Sequence, residues 1–150
     1  MSTKLLRRRA LIGALAVSGA LALAYGCTTM SGSMGGAQTL TLSGSNEVPA
    51  VNTTATGTAV VTIKDDKSVS VKVTVSGMTA TASHIHEAAA GTNGPVIVPF
   101  TKTADNTFEA PAGAKLTDAQ YESYKAGKLY VNVHSAAYPG GEVRAQIKGG

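Results

Sequence analysis

The sequence predicts an all-β antiparallel sandwich or barrel with one short helix, placed behind an N-terminal export segment. Three observations carry this. Apolar and polar residues alternate in short segments, most clearly over residues 68–75 (SVSVKVTV), where Val69, Val71, Val73 and Val75 share one face and Ser, Lys and Thr the other. β-Branched residues dominate these segments, and glycine-containing turns separate them. The apolar residues are small, with no Trp and 2 Phe, as suits a thin core of Val, Ala, Ile and Leu with Phe100, Phe108 and some tyrosines as its largest members.

The elements follow in order. Residues 39–42 alternate, and 57–64 (GTAVVTIK) pair with 68–75 as a hairpin through the polar turn Asp65-Asp66-Lys67. Further strands are predicted at 82–87, 96–100, around Phe108, at 129–134 and at 141–147. Gly91-Thr92-Asn93-Gly94-Pro95 and Pro139-Gly140-Gly141 supply turn chemistry between them. Thr117-Asp118-Ala119-Gln120 reads as a capping box, with Tyr121 and Tyr124 at helical spacing, Lys125 in the last turn and Gly127 as a stop. A short helix is therefore predicted over 117–126. Together these make a single domain over residues 38–148, large enough for one core.

The first residues carry Lys4, Arg7, Arg8 and Arg9, then an apolar run over 10–24, then Gly26-Cys27. A basic start, a short apolar stretch and small residues before a break describe an export signal. The apolar run is shorter than the ~20 residues a spanning helix needs. Cys27, the chain's 1 cysteine, resembles in position the lipobox cysteine of bacterial lipoproteins, although Ala24 and Tyr25 depart from that pattern. The resemblance implies residues 1–27 as a signal peptide and a membrane anchor through lipid on Cys27. It further implies an envelope location on the periplasmic or extracellular face. Arg8-Arg9-Ala10-Leu11-Ile12 is a loose match to a twin-arginine signal, and a plain basic leader is the preferred reading. Residues 28–37 (TTMSGSMGGA) read as a flexible tether.

Net charge is +4, but the four basic residues before Cys27 leave with the signal, and the nine that remain balance nine acidic ones. The mature chain is formally neutral and shows no basic stripe with interleaved aromatics, so nucleic acid is not an expected partner. An envelope protein partner of unknown identity fits better.

The chain has 3 histidines, all in strand-like segments. His84 and His86 lie at i and i+2 and share a face, while Asn132 and His134 lie opposite Val131 and Val133. If the two strands are near neighbours, the three imidazoles emerge together as a workable triad for Cu or Zn. Their nitrogens must then converge to within ~4 Å of one another. Glu142, Arg144 and Gln146 alternate against Val143, Ala145 and Ile147, which places Glu142 and Arg144, with Asn132, as outer-shell candidates around the triad. The competing reading makes the same residues a hydrogen-bonded structural network, with Glu142 and Arg144 as a surface ion pair. Glu47-Val48-Pro49 reads as a turn in which Glu47 satisfies backbone donors. No Ser/His/Asp order, paired general-acid carboxylates or phosphate-cradling glycine loop stands out, so no catalytic residue is assigned.

Several blocks resemble one family. Leu42-Ser-Gly-Ser-Asn-Glu-Val-Pro49, His84-Ile-His86 with Ala88-Ala-Ala-Gly91-Thr-Asn-Gly94-Pro95-Val96, and Leu129-Tyr-Val-Asn-Val-His134-Ser with Pro139-Gly-Gly-Glu142-Val-Arg144-Ala-Gln146-Ile147 are similar to successive motifs of the CHRD domain. Glu87, Ser135 and Ala145 depart from the residues common there. The resemblance implies an immunoglobulin-like or superoxide-dismutase-like β-sandwich and says little about function. The expectation is a non-enzymatic envelope module with a three-histidine site for Cu or Zn. The alternative is a structural or adhesive domain, and dismutase-like redox activity is a third reading.

Overall fold

The computed structural model describes residues 36–150; the expected signal segment with Cys27, and all but the last two residues of the expected tether, lie outside them. The described residues form β1 (Gln38–Ser43), β2 (Thr56–Ile63), β3 (Val69–Ser76), β4 (Ala80–Glu87), β5 (Val96–Pro99), β6 (Thr101–Ala104), β7 (Thr107–Glu109), α1 (Asp118–Lys125), β8 (Leu129–Ser135) and β9 (Val143–Ile147). A single 3₁₀ turn, Gly44–Asn46, follows β1.

The strands join in one antiparallel sheet of order β5-β4-β8-β9-β1-β2-β3-β7-β6. Its two ends, β5 and β6, are successive pieces of one stretch of chain broken at Phe100. The sheet therefore curls back on itself as a nearly closed, sandwich-like barrel, which leaves little unpaired edge. The Phe100 N–H still donates to the Ser83 carbonyl, so contact with β4 persists to the break. The narrowest seam is between β1 and β9, paired only at Ser43 and Arg144.

The hairpin of β2 and β3 has the expected register, with Ile63 opposite Val69 and the Lys67 N–H donating to the Lys64 carbonyl in the turn. In β3 every second residue is buried, as the Val alternation requires. Thr117 caps α1 reciprocally: the Gln120 N–H donates to the Thr117 hydroxyl, and the Thr117 N–H to the Gln120 side chain. At the other end the Gly127 N–H donates to the Tyr124 carbonyl and the Lys128 N–H to that of Ser123, the paired closure of a Schellman motif. One cluster forms the core, from Leu40 and Leu42 through Val71, Val73, Ile85 and Phe108 to Val131, Val133, Val143 and Ile147.

Two sequence expectations need correction. The stretch after Phe100 forms a strand, β6, that the sequence reading left out; all four of its residues are exposed, so no alternation marks it. More important, the polar face of β8 and β9 is not solvated. Five successive residues of β8 and the first three of β9 are buried, because loops lie over the side of the sheet away from the core.

Candidate metal centre

Strand register builds the site. His84 pairs with Asn132 and His86 with Tyr130 across β4 and β8, while Ala82 faces His134. Across β8 and β9, Asn132 pairs with Arg144 and Tyr130 with Gln146. Alternation then puts His84, His86, Tyr130, Asn132, His134, Arg144 and Gln146 on one face of three adjacent strands, with Ile85, Val131, Val133 and Ala145 turned into the core. The strand adjacency expected from sequence is present.

One nitrogen from each of His84, His86 and His134 lies within 4.8 Å of the other two. His84 Nδ1 and His134 Nε2 are 3.0 Å apart. Two nitrogens bound tetrahedrally to one ion at ~2.0–2.1 Å stand about 3.4 Å apart. The 4.8 Å limit of the cluster exceeds both this and the ~4 Å expected from sequence, so the rings would have to draw together to share one ion.

Backbone carbonyls set two of the three tautomers. His86 Nδ1 lies 2.9 Å from the Gly94 carbonyl, and His134 Nδ1 lies 2.9 Å from that of Pro139. A carbonyl only accepts, so each Nδ1 carries the proton and each neutral ring keeps its Nε2 lone pair for the cluster. Metal-ligating imidazoles are commonly oriented by such a contact. No backbone carbonyl orients His84 among the described residues; its Nδ1–H donates to His134 Nε2. Burial pushes His84 down to about 4, and the neighbouring His134 and His86 add to the shift. Burial also lowers His86 and His134, in part offset by their carbonyl partners. All three are neutral at pH 7, the form that binds metal.

The loop over residues 88–95 covers the His86 side. Arg144, 2% exposed, donates to the Thr92 carbonyl at 2.9 Å and to Asn93 Oδ1 at 3.2 Å. Gln146 donates to the Ala88 carbonyl, and the Gly94 N–H donates to the Tyr130 hydroxyl. The Arg144 guanidinium lies 3.4 Å over the Tyr130 ring, on which His86 also stacks at 4.9 Å between centroids. The turn carrying Pro139 is held in its own way: the Tyr138 N–H donates to the Ser135 hydroxyl and the Gly141 N–H to the Tyr138 carbonyl.

The expected Glu142–Arg144 surface pair is absent among the described residues. Glu142 is buried and accepts from the Ser135 and Thr53 hydroxyls, so it ties the Pro139 turn to the loop after Gly44–Asn46 and touches no imidazole. Arg144 serves the 88–95 loop instead. Of the three outer-shell candidates, Asn132 pairs with His84 across β4 and β8, Arg144 reaches the His86 side through the Tyr130 ring, and Glu142 bonds to Ser135 and Thr53. Sequence reasoning missed Tyr130 as a stacking platform, and it missed the Gly94 and Pro139 carbonyls. The only sequence signal for these carbonyls was their place in two turns that follow the histidine strands. Glu47, expected to satisfy backbone donors in its turn, is buried; the Val48 backbone hydrogen-bonds its carboxyl group, and its Oε1 has no hydrogen-bond partner among the described residues.

A three-imidazole cluster with a polar lining, covered on its His86 side by a pinned loop, marks a small all-β domain with a site that could hold a metal ion. The chain belongs to the CHRD domain family, whose model matches residues 38–147. No curated protein and no solved structure matches the chain.

Proposed function

We propose that this CHRD-domain protein is a non-enzymatic envelope module that binds a Cu or Zn ion through His84 Nδ1, His86 Nε2 and His134 Nε2. The observation that carries the reading is the pairing of convergence with preset tautomers: three ligand nitrogens within 4.8 Å, two of them turned inward by the carbonyls of Gly94 and Pro139. Three protein ligands leave a fourth position for water or an exchange partner, which suits uptake and delivery better than a closed structural site. In this reading lipid on Cys27 holds the domain at the membrane, facing an extracytoplasmic space.

Elemental analysis of protein dialysed against Cu or Zn should give one ion per chain, and none after His84, His86 and His134 are all changed to Ala. Mass spectrometry of native protein should find an acylated N-terminal Cys27; an N-terminus that excludes Cys27 contradicts the anchor.

A second reading has its own observation. His84 and His134 already hydrogen-bond each other at 3.0 Å, so the cluster is partly satisfied without an ion. In that reading the histidines, Tyr130, Asn132 and Arg144 form a polar network that fixes the loops of an adhesive or structural domain. A chain that takes up neither ion favours it.

A further inference from the structure

Asn132 is the central residue of the polar face. It lies opposite His84 on β4 and Arg144 on β9, with Tyr130 and His134 two residues away on its own strand. Only 2% exposed, its Oδ1 still has no hydrogen-bond partner among the described residues, and neither does His86 Nε2. The other end of the amide points elsewhere. Asn132 Nδ2 and Glu47 Oε1 both press on Gly141, 2.7 and 2.6 Å from where a β-carbon there would stand. Gly141 itself has φ +127°, so a side chain at this position is excluded by both space and backbone conformation.

Glu47 is 6% exposed, and its Oε1 is the third buried polar atom without a partner. Asn132 Nδ2 lies on the Gly141 side, which leaves Oδ1 at the opposite end of the amide; no hydrogen bond joins the amide to Glu47. An unpaired buried carbonyl is destabilising, and a donor arriving with the ion would satisfy it.

We propose that Asn132 Oδ1 is the acceptor for the water carried by a divalent ion on His84, His86 and His134. The inference rests on the metal reading and makes Asn132 a specificity-determining residue. A four-coordinate Zn(II) or a Cu(II) on three imidazoles retains water, whose protons need an acceptor on the side covered by the 88–95 loop. Cu(I) is satisfied by three imidazoles and brings no water. The acceptor therefore favours the divalent ions over the monovalent one.

The test is competitive titration of the metal-stripped full chain with Zn(II), Cu(II) and, under anaerobic reducing conditions, Cu(I). Asn132→Leu should weaken Zn(II) and Cu(II) by about 10–100-fold, the usual effect of losing an outer-shell partner, with Cu(I) changed less than about 3-fold. An equal loss for all three ions, or no loss, overturns the proposal. Should Asn132→Leu fail to fold, Asn132→Asp decides: it keeps an acceptor and should hold or raise the ratio of divalent to monovalent affinity, and a lowered ratio overturns the proposal. Wild-type protein that binds none of the ions sinks the metal reading itself; wild-type binding with Asn132→Leu indifferent to ion charge sinks only this inference.

Discussion

At the scale of single residues, the site works by keeping imidazoles neutral and aimed. Each His86 and His134 ring spends its Nδ1 proton on a carbonyl, and burial disfavours a second proton. This has a consequence for stability. The folded His84 value, about 4, lies below the ordinary 6.5, so the unfolded chain takes up a proton first as pH falls. The penalty begins near pH 6.5 and grows until the folded ring also protonates near 4. His86 and His134, lowered as well, act in the same direction. Glu47 opposes them: burial raises it from 4.5 to about 7, against the pull of Arg144 and the Val48 backbone. Its stabilising contribution is fully present below pH 4.5 and is lost as pH rises through 7. Urea denaturation of the metal-free protein should show stability declining from pH 6.5 towards 4, only partly offset by Glu47. In Glu47→Gln that offset is gone and the decline steepens; a variant with the same slope as wild type contradicts the assignment of Glu47. The pairing of His84 with His86 was readable from the two-residue period of a strand. The carbonyls that orient them were not, because a backbone acceptor leaves no mark in the side-chain sequence.

At the scale of elements, strands and loops differ in what their residues reveal. β3 could be read directly because one face meets water and one the core, so its side chains alternate. In β8 and β9 alternation survives in the sequence, but its meaning changes. Tyr130, Asn132 and Arg144 look like an outward polar face and are in fact a second buried layer under the 88–95 loop. Periodicity tells which residues share a face, and it cannot tell what lies over that face. Arg144 is the pin between strand and loop. Replacing it by Lys retains the charge but loses the planar stack on Tyr130 and the spread of donors to Thr92 and Asn93. Arg144→Lys should destabilise the domain by about 2–3 kcal/mol, the scale of a charged hydrogen bond lost in the interior. Amide exchange over residues 88–95 should quicken more than exchange in β2 and β3. A uniform change across the sheet would show that Arg144 does not act through the loop.

At the scale of the whole molecule, a nearly closed sheet places the site. Because the chain between β5 and β6 links the two ends of the sheet, β4 is held between β5 and β8, and the His84–His86 pair cannot drift relative to His134. Fold class, the β2–β3 hairpin and the capped helix were all legible, since each is written in local alternation or capping chemistry. The closure was not: it depends on β6, a short exposed strand recognisable only from its pairing with β7. Closure also matters for function. Register shifts occur between Ala80 and Ala82 where β4 meets β8 and between Ile85 and His86 where β4 meets β5, so one irregular point precedes the histidine pair and one falls within it. Bulges of this kind redirect side chains while the barrel around them stays fixed.

The most direct test is calorimetric titration of the metal-stripped protein with Zn(II) and Cu(II), wild type beside His134→Ala. His134 supplies the only nitrogen of the cluster from β8, so its loss should weaken binding by more than the ~10–100-fold that follows removal of an outer-shell partner. Affinity of the wild type should also fall with pH, with the onset held below the ordinary imidazole value of 6.5 by the lowered rings, His84 reaching about 4. One tight site per chain, lost in His134→Ala, is the expected result. Wild type binding neither ion more tightly than the variant would contradict the metal reading and leave the histidines to the structural network.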